Sequence, residues 1–119
     1  MPRYLIAFPD GAMDFPREEL PAVAVAAGAV EQEAKAAGVW VYGAGLERQV
    51  SSVVSPDGTV TDGPYPETKE HIGGFAVVDV ATRDEAIQWA AKIAAACRCA
   101  QDVLELLPDD YGAQLIENA

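Results

Sequence analysis

The ionisable side chains that could carry chemistry are concentrated in one segment of the chain, residues 62–71. This segment contains Asp62, Glu67, Lys69, Glu70 and His71. His71 is the only histidine, and an imidazole gains or loses a proton near neutral pH, so we predict that it acts as a general acid or base. Asp62, across the loop, and Asp79, further along the following strand, are both candidate carboxylates to orient it. His71 and Asp62 form the predicted catalytic site. The alternative is a solvated loop histidine among carboxylates that serve solubility.

Three further side chains of the same segment are predicted to bind a ligand: Tyr65, Glu67 and Lys69. The Lys69 ammonium can hold a substrate carboxylate or phenolate in a dry pocket. On an open surface it would instead balance the neighbouring Glu67 and Glu70. The Tyr65 hydroxyl can donate to a ligand, and the alternative is that its ring packs in the core.

The backbone of the segment predicts an ordered loop rather than a helix. Gly63 permits angles closed to other residues, while Pro64 and Pro66 fix φ and disfavour helix in the residue before each. Loops held by a rigid scaffold are frequent sites of binding and catalytic groups. Asp-Gly-Pro is also a common turn, so a purely structural role remains the alternative.

Residues 62–74 read DGPYPETKEHIGG and lead into an apolar strand. This stretch resembles the signature of the DGPF proteins, a branch of the YCII-related family, whose turn typically reads D-G-P-F-A-E-T-K-E ahead of a Gly-Gly strand. The chain differs from that signature at Tyr65 and Pro66. The resemblance implies a ferredoxin-like domain of the dimeric α+β barrel class, in which two copies pair sheet to sheet.

The resemblance implies two functions of different classes. In the first, the protein binds a small organic molecule beside the signature loop and carries out cofactor-independent acid–base chemistry of the lyase or isomerase kind. In the second, it is a non-catalytic regulatory or binding module associated with sigma-factor signalling. Some YCII-related proteins are thought to use a His–Asp pair with the histidine on the first helix. This chain has no histidine between Arg17 and Gly38, so that pair is not carried over.

Alternating apolar residues and turn signals predict a strand-rich chain with two helices. Strands are predicted at residues 4–8, 39–42, 50–54, 60–61, 75–80 and 103–107. Residues 16–19 are predicted to form a helical first turn with Asp14 as a candidate cap. The first helix is predicted to begin, or begin again, around Leu20 and to run to a stop at Gly38. The second follows a capping box formed by Thr82 and Glu85.

This order predicts an α+β fold: a ferredoxin-like split βαβ antiparallel sheet with two helices on one face. The strand at 75–80 is apolar in both directions, so the other face of the sheet is predicted to be apolar too. Monomers tolerate only a few hundred Å2 of such surface. We therefore expect a homodimer through the open sheet face.

Length and composition exclude several classes of protein. The 119 residues predict a single domain over 1–119. The net charge of −11 leaves no basic run for nucleic acid, and no apolar stretch is long enough for a membrane. The N-terminus lacks a secretory signal, which predicts a cytoplasmic protein. Cys97 and Cys99 are predicted to be buried or half-buried thiols, with neither a metal site nor a disulfide framework, and no dinucleotide or other cofactor motif is present.

Overall fold

The computed structural model describes residues 1–63 and 71–119, which form a four-stranded antiparallel sheet with two helices against one face. The strands are β1 (Arg3–Pro9), β2 (Trp40–Gly45), β5 (Ile72–Asp79) and β6 (Asp102–Glu105), in the spatial order β2-β5-β1-β6. Helix α1 (Leu20–Ala36) connects β1 to β2, and helix α2 (Arg83–Cys97) connects β5 to β6. The α+β, ferredoxin-like split βαβ prediction is confirmed.

Three smaller elements lie outside this sheet. Strands β3 (Ser52–Val54) and β4 (Val60–Asp62) form a separate hairpin, whose turn places Gly58 at φ +89°. Helix α3 (Tyr111–Glu117) follows the sheet, at a position where the sequence predicted no helix. The radius of gyration of 16.8 Å exceeds the roughly 13.5 Å of a compact chain of this length. The hairpin and α3 therefore extend away from the body.

The core lies between the sheet and the helices, and strand alternation decides which side chains enter it. Along β1, Tyr4 and Ile6 face the helices, where Ile6 packs with Val78 of β5 and Ala86 of α2. Ile6 and Val78 are fully buried. Leu5, between the two core residues of β1, points to the opposite face, which we call the open face.

Local signals explain where the helices begin and end. The Thr82 hydroxyl accepts the Glu85 backbone N–H at 3.2 Å, which is one half of the predicted capping box. The prediction of Asp14 as a cap is wrong: α1 follows a 3-10 turn at Arg17–Glu19, and no side chain caps either start. Past the end of α1, Gly38 adopts φ +74°, in the left-handed region that glycine favours.

Strand boundaries differ from the prediction by two or three residues. β5 begins at Ile72 rather than at residue 75, because Gly73 and Gly74 are part of the strand instead of the loop. β6 ends at Glu105 rather than at residue 107. Within the described part of the chain, no helix combines the length and the apolar character that a membrane crossing requires.

Candidate functional site

A cavity of about 430 Å3 lies between α1 and the sheet. Both helices and strands β1, β2 and β5 contribute to its wall. Small-molecule sites in proteins typically have volumes of about 300–1,000 Å3. The cavity therefore has the size of a site for a small organic molecule.

Small residues form the helical wall of the cavity. Ala24, Ala27, Gly28 and Glu31 line it from α1, at the three- and four-residue spacing that places side chains on one face of a helix. A Cβ atom added at Gly28 would meet nothing within 4 Å. The helix thus leaves the space in front of this face unfilled, because none of its first three side chains is longer than a methyl group.

Two aromatic rings form the sheet wall, and each lies directly on a glycine. A Cβ added at Gly43 would lie 2.7 Å from the Trp40 ring, and one added at Gly74 would lie 2.6 Å from the Phe8 ring. Real Cβ atoms essentially never make contacts this short. The two glycines therefore let both rings approach the strand backbone closely, which leaves the space in front of the sheet free.

Few polar groups reach the cavity. The lining includes the Glu31 carboxylate, the Gln101 amide and the Cys97 thiol. Glu31 is the only charged residue among the described lining residues, and its Oε2 lies 3.1 Å from Lys35 Nζ. The site thus presents an apolar surface with a hydrogen-bond acceptor on one side.

The two thiols are protonated at neutral pH. Burial, and to a lesser degree the neighbouring Cys99, raise the pKa of Cys97, which is 9% exposed. Burial also raises the pKa of Cys99, against a smaller opposite effect of the Gln101 amide at 3.5 Å. Because the thiolate is the nucleophile and the metal ligand, neither cysteine is activated for such roles. The prediction of buried or half-buried free thiols is confirmed, since Cys97 is buried and Cys99 is half-buried.

The predicted catalytic residues lie at the two ends of the signature loop. Asp62 ends β4 and is exposed, whereas His71 precedes β5 and is half-buried. The His71 carbonyl accepts the Asp10 backbone N–H at 2.7 Å. In the described part of the chain no hydrogen bond or ion pair joins the His71 and Asp62 side chains, and neither residue lines the cavity.

The predicted ligand-binding residues Tyr65, Glu67 and Lys69 lie outside the described residues. The loop that carries them nevertheless connects two described points. It leaves the hairpin at Gly63, whose N–H donates to the Ser51 carbonyl at 2.8 Å. It returns at His71, three residues before Gly74 in the cavity wall.

Sequence reasoning did not identify the cavity, although its signals are in the chain. The missing step was to combine the small-residue face of α1 with the glycines at 43 and 74. Neither the small-residue face nor the glycines alone predict a cavity, because they are far apart in the sequence and become neighbours only in the folded chain.

The comparison with protein families covers nearly the whole body of the molecule. A family model of the YCII-related domain matches residues 3–105, from the first residue of β1 to the last of β6. The chain belongs to the YCII-related domain family. The predicted resemblance to this family is confirmed, and its DGPF branch stays a prediction. No curated protein matches the chain in sequence. In this YCII-related domain, α3 lies beyond the matched region.

Proposed function

We propose that this YCII-related domain binds a neutral, largely apolar small molecule in the cavity between α1 and the sheet. The observation that carries the proposal is the cavity of about 430 Å3 with an apolar wall built from small residues and glycine-seated aromatic rings. Protein interiors are normally close-packed, with few voids larger than a water molecule. This space is a cleft beside α1 that is open to solvent, where Ala24 and Gly28 are exposed, so a ligand can enter it from outside and fill it.

The lining indicates the chemistry of that occupant. The Trp40 and Phe8 rings offer flat apolar surface to an aromatic or alicyclic ligand. Glu31 can accept a hydrogen bond from a ligand hydroxyl or amine. An anionic ligand would meet the Glu31 charge and the field of a protein with net charge −11. These contacts favour a neutral ligand with a hydrogen-bond donor.

Acid–base chemistry is an extension of this proposal. His71 and Asp62 stay the predicted catalytic residues, and Tyr65, Glu67 and Lys69 stay the predicted ligand contacts from the signature loop. The loop rejoins the sheet three residues before the cavity wall, which supports a role beside the bound molecule. The regulatory alternative linked to sigma factors likewise stays a prediction.

The binding proposal is tested with a matched pair of ligands that share one ring system, 2-naphthol and 2-naphthoate. The chain has two tryptophans, so NMR shows two indole N–H signals, and the Trp89→Phe variant assigns them. At pH 7 we expect 2-naphthol to shift the Trp40 signal with saturation. The Trp89 signal is the internal control, because Trp89 does not line the cavity. We expect 2-naphthoate to bind at least about tenfold more weakly.

Two outcomes would contradict the proposal. If neither compound moves the Trp40 signal up to its solubility limit, the cavity does not accept small aromatic molecules. If 2-naphthoate binds as tightly as 2-naphthol, the neutral-ligand assignment is wrong. That result would indicate a cationic group that contacts the ligand carboxylate.

We also infer that the domain pairs with a second copy through the open face. This face carries Leu5, Tyr42, Phe75, Val77 and Leu104, and Tyr42 and Leu104 are about 60% and 56% exposed. Large exposed apolar side chains that form one surface typically mark an interface. Sedimentation velocity is expected to show a dimer that Leu104→Glu converts to monomer. Ile87→Glu, at a comparably exposed position on α2, is the matched control and should leave the dimer intact.

A further inference from the structure

The C-terminal helix is apolar but unburied. None of the residues of α3 is buried in the protomer, and Leu115 and Ile116 are 57% and 78% exposed. Leu107, just before the helix, is 70% exposed. Helices shorter than about 12–15 residues are marginal in water without tertiary packing. A seven-residue helix with exposed leucine and isoleucine side chains therefore calls for a packing partner outside its own protomer.

The segment leaves the body at the open face. Arg3 lies opposite Asp79 in the sheet, and its Nε is 3.7 Å from Asp79 Oδ2. Their neighbours Tyr4 and Val78 belong to the helix-side core, so Arg3 and Asp79 face the other way. Arg3 Nη1 also lies 3.6 Å from Asp109 Oδ2. This ion pair holds the start of the C-terminal segment at the margin of the open face.

The sheet of the open face has a flat footprint of about 400 Å2, from four strands about 4.8 Å apart, each about six residues long at about 3.4 Å per residue. The side chains that project from it carry more accessible surface than this footprint, and a stable interface buries about 800 Å2 of such surface per partner. Apolar surface next to this face would add to the contact, and residues 107–117 supply such surface at its margin.

We propose that residues 107–117 form an arm that packs against a second copy of this chain, beside the paired sheets. The proposal rests on the dimer inferred above. Leu107, Leu115 and Ile116 supply the contacts, and the Arg3–Asp109 ion pair sets the direction in which the arm leaves. The arm lies beyond residues 3–105, the region that the family model matches.

The test is the dimer dissociation constant of the full chain by sedimentation equilibrium. Three variants are compared with the unmodified chain: L115S/I116S in the arm, Q114S as its matched control on the same helix, and Leu104→Glu on the open face. We expect L115S/I116S to weaken the dimer by about a hundredfold, because two apolar side chains per arm lose their buried contacts. Q114S should leave the constant unchanged. Far-UV circular dichroism checks that each variant is folded.

The outcomes distinguish the proposed arm contact from dimerisation through the open face. A monomeric unmodified chain would overturn both proposals. A dimer that Leu104→Glu breaks, and that L115S/I116S leaves unchanged, would keep the sheet interface and overturn the arm. A second measurement gives contact directly: in a mixture of isotope-labelled and unlabelled chains, intermolecular NOEs from the Leu115 methyl groups are expected. If these methyl groups show NOEs only within their own protomer, the arm folds back on its own body and the proposal is wrong.

Discussion

Gly28 offers a way to fill the cavity without damaging the fold. It lies in the middle of α1, at the cavity, and a Cβ atom added there meets nothing within 4 Å. Most mutations that block a site also disturb its packing, which confuses lost binding with lost stability. At Gly28 we expect a substitution to change binding and stability in opposite directions. Gly28→Leu should weaken ligand binding while it raises the free energy of unfolding.

The expected change in stability follows from helix propensity. Glycine in a helix interior is less favourable than alanine by about 0.8–1.0 kcal/mol, and leucine is close to alanine. Because the structure shows no steric opposition at this Cβ, Gly28→Ala and Gly28→Leu should each raise the free energy of unfolding by about 1 kcal/mol. For a domain of this size that corresponds to an increase in Tm of about 4 °C.

The expected change in binding separates the two variants. Alanine adds a single methyl group and should leave 2-naphthol binding within about threefold of the unmodified protein, whereas leucine occupies the ligand's space. We expect Gly28→Leu to weaken 2-naphthol binding by at least about tenfold, or 1.4 kcal/mol. The assays are thermal unfolding and NMR titration of the Trp40 indole signal. Equal binding by both variants would show that the ligand does not lie against Gly28, and a lower Tm for Gly28→Leu would show that the side chain does not fit.

Two further predictions concern the fold. Thr82→Ala should lower the free energy of unfolding by about 1 kcal/mol, because it leaves the Glu85 N–H without its cap, while Thr82→Ser should keep most of the stability in chemical denaturation. Burial raises the pKa of Cys97, so its stabilising effect is complete below the pKa of the unfolded thiol, near 8.5, and is lost as pH rises beyond it. Denaturation between pH 7 and 10.5 should therefore show a smaller alkaline loss of stability for Cys97→Ala. Identical slopes would contradict this reasoning.

The order of elements could be predicted from the sequence because its signals are local. The second helix is the clearest case, since Thr82 and Glu85 lie within one turn and set its start. The start of β5 could not be predicted in the same way. Gly73 and Gly74 suggest a loop when only their neighbours are considered. They are strand residues because β5 pairs there with β1 and β2, with Gly74 opposite Phe8 and Gly45. The pairing of Gly74 with Phe8 joins positions more than sixty residues apart.

The candidate site was less predictable than the fold for a related reason. Charged residues near the signature loop can be chosen as candidates from the sequence, because the chemistry of each side chain follows from its residue type. The cavity is defined by what its residues lack, since Ala24, Ala27 and Gly28 have no bulk to fill it. Small side chains on a helix can be recognised as part of a cavity only when the wall opposite them is known. Helix α3 was not predicted because it has only seven residues and no side chain makes a capping hydrogen bond at its start.

The two proposed surfaces share strands β1, β2 and β5 and lie on opposite faces of them, as β1 shows. In β1, Ile6 and Phe8 line the cavity, whereas Leu5 and Ala7 lie on the open face. The described residues around the cavity include positions on strands β1, β2 and β5 and on the two helices. Pairing would cover the opposite side of the same strands and hold their backbone in place. Since Gly43 and Gly74 let the aromatic rings approach that backbone closely, a firmly held sheet leaves the space in front of it free. The dimer would therefore support the site through the shared strands without touching the ligand.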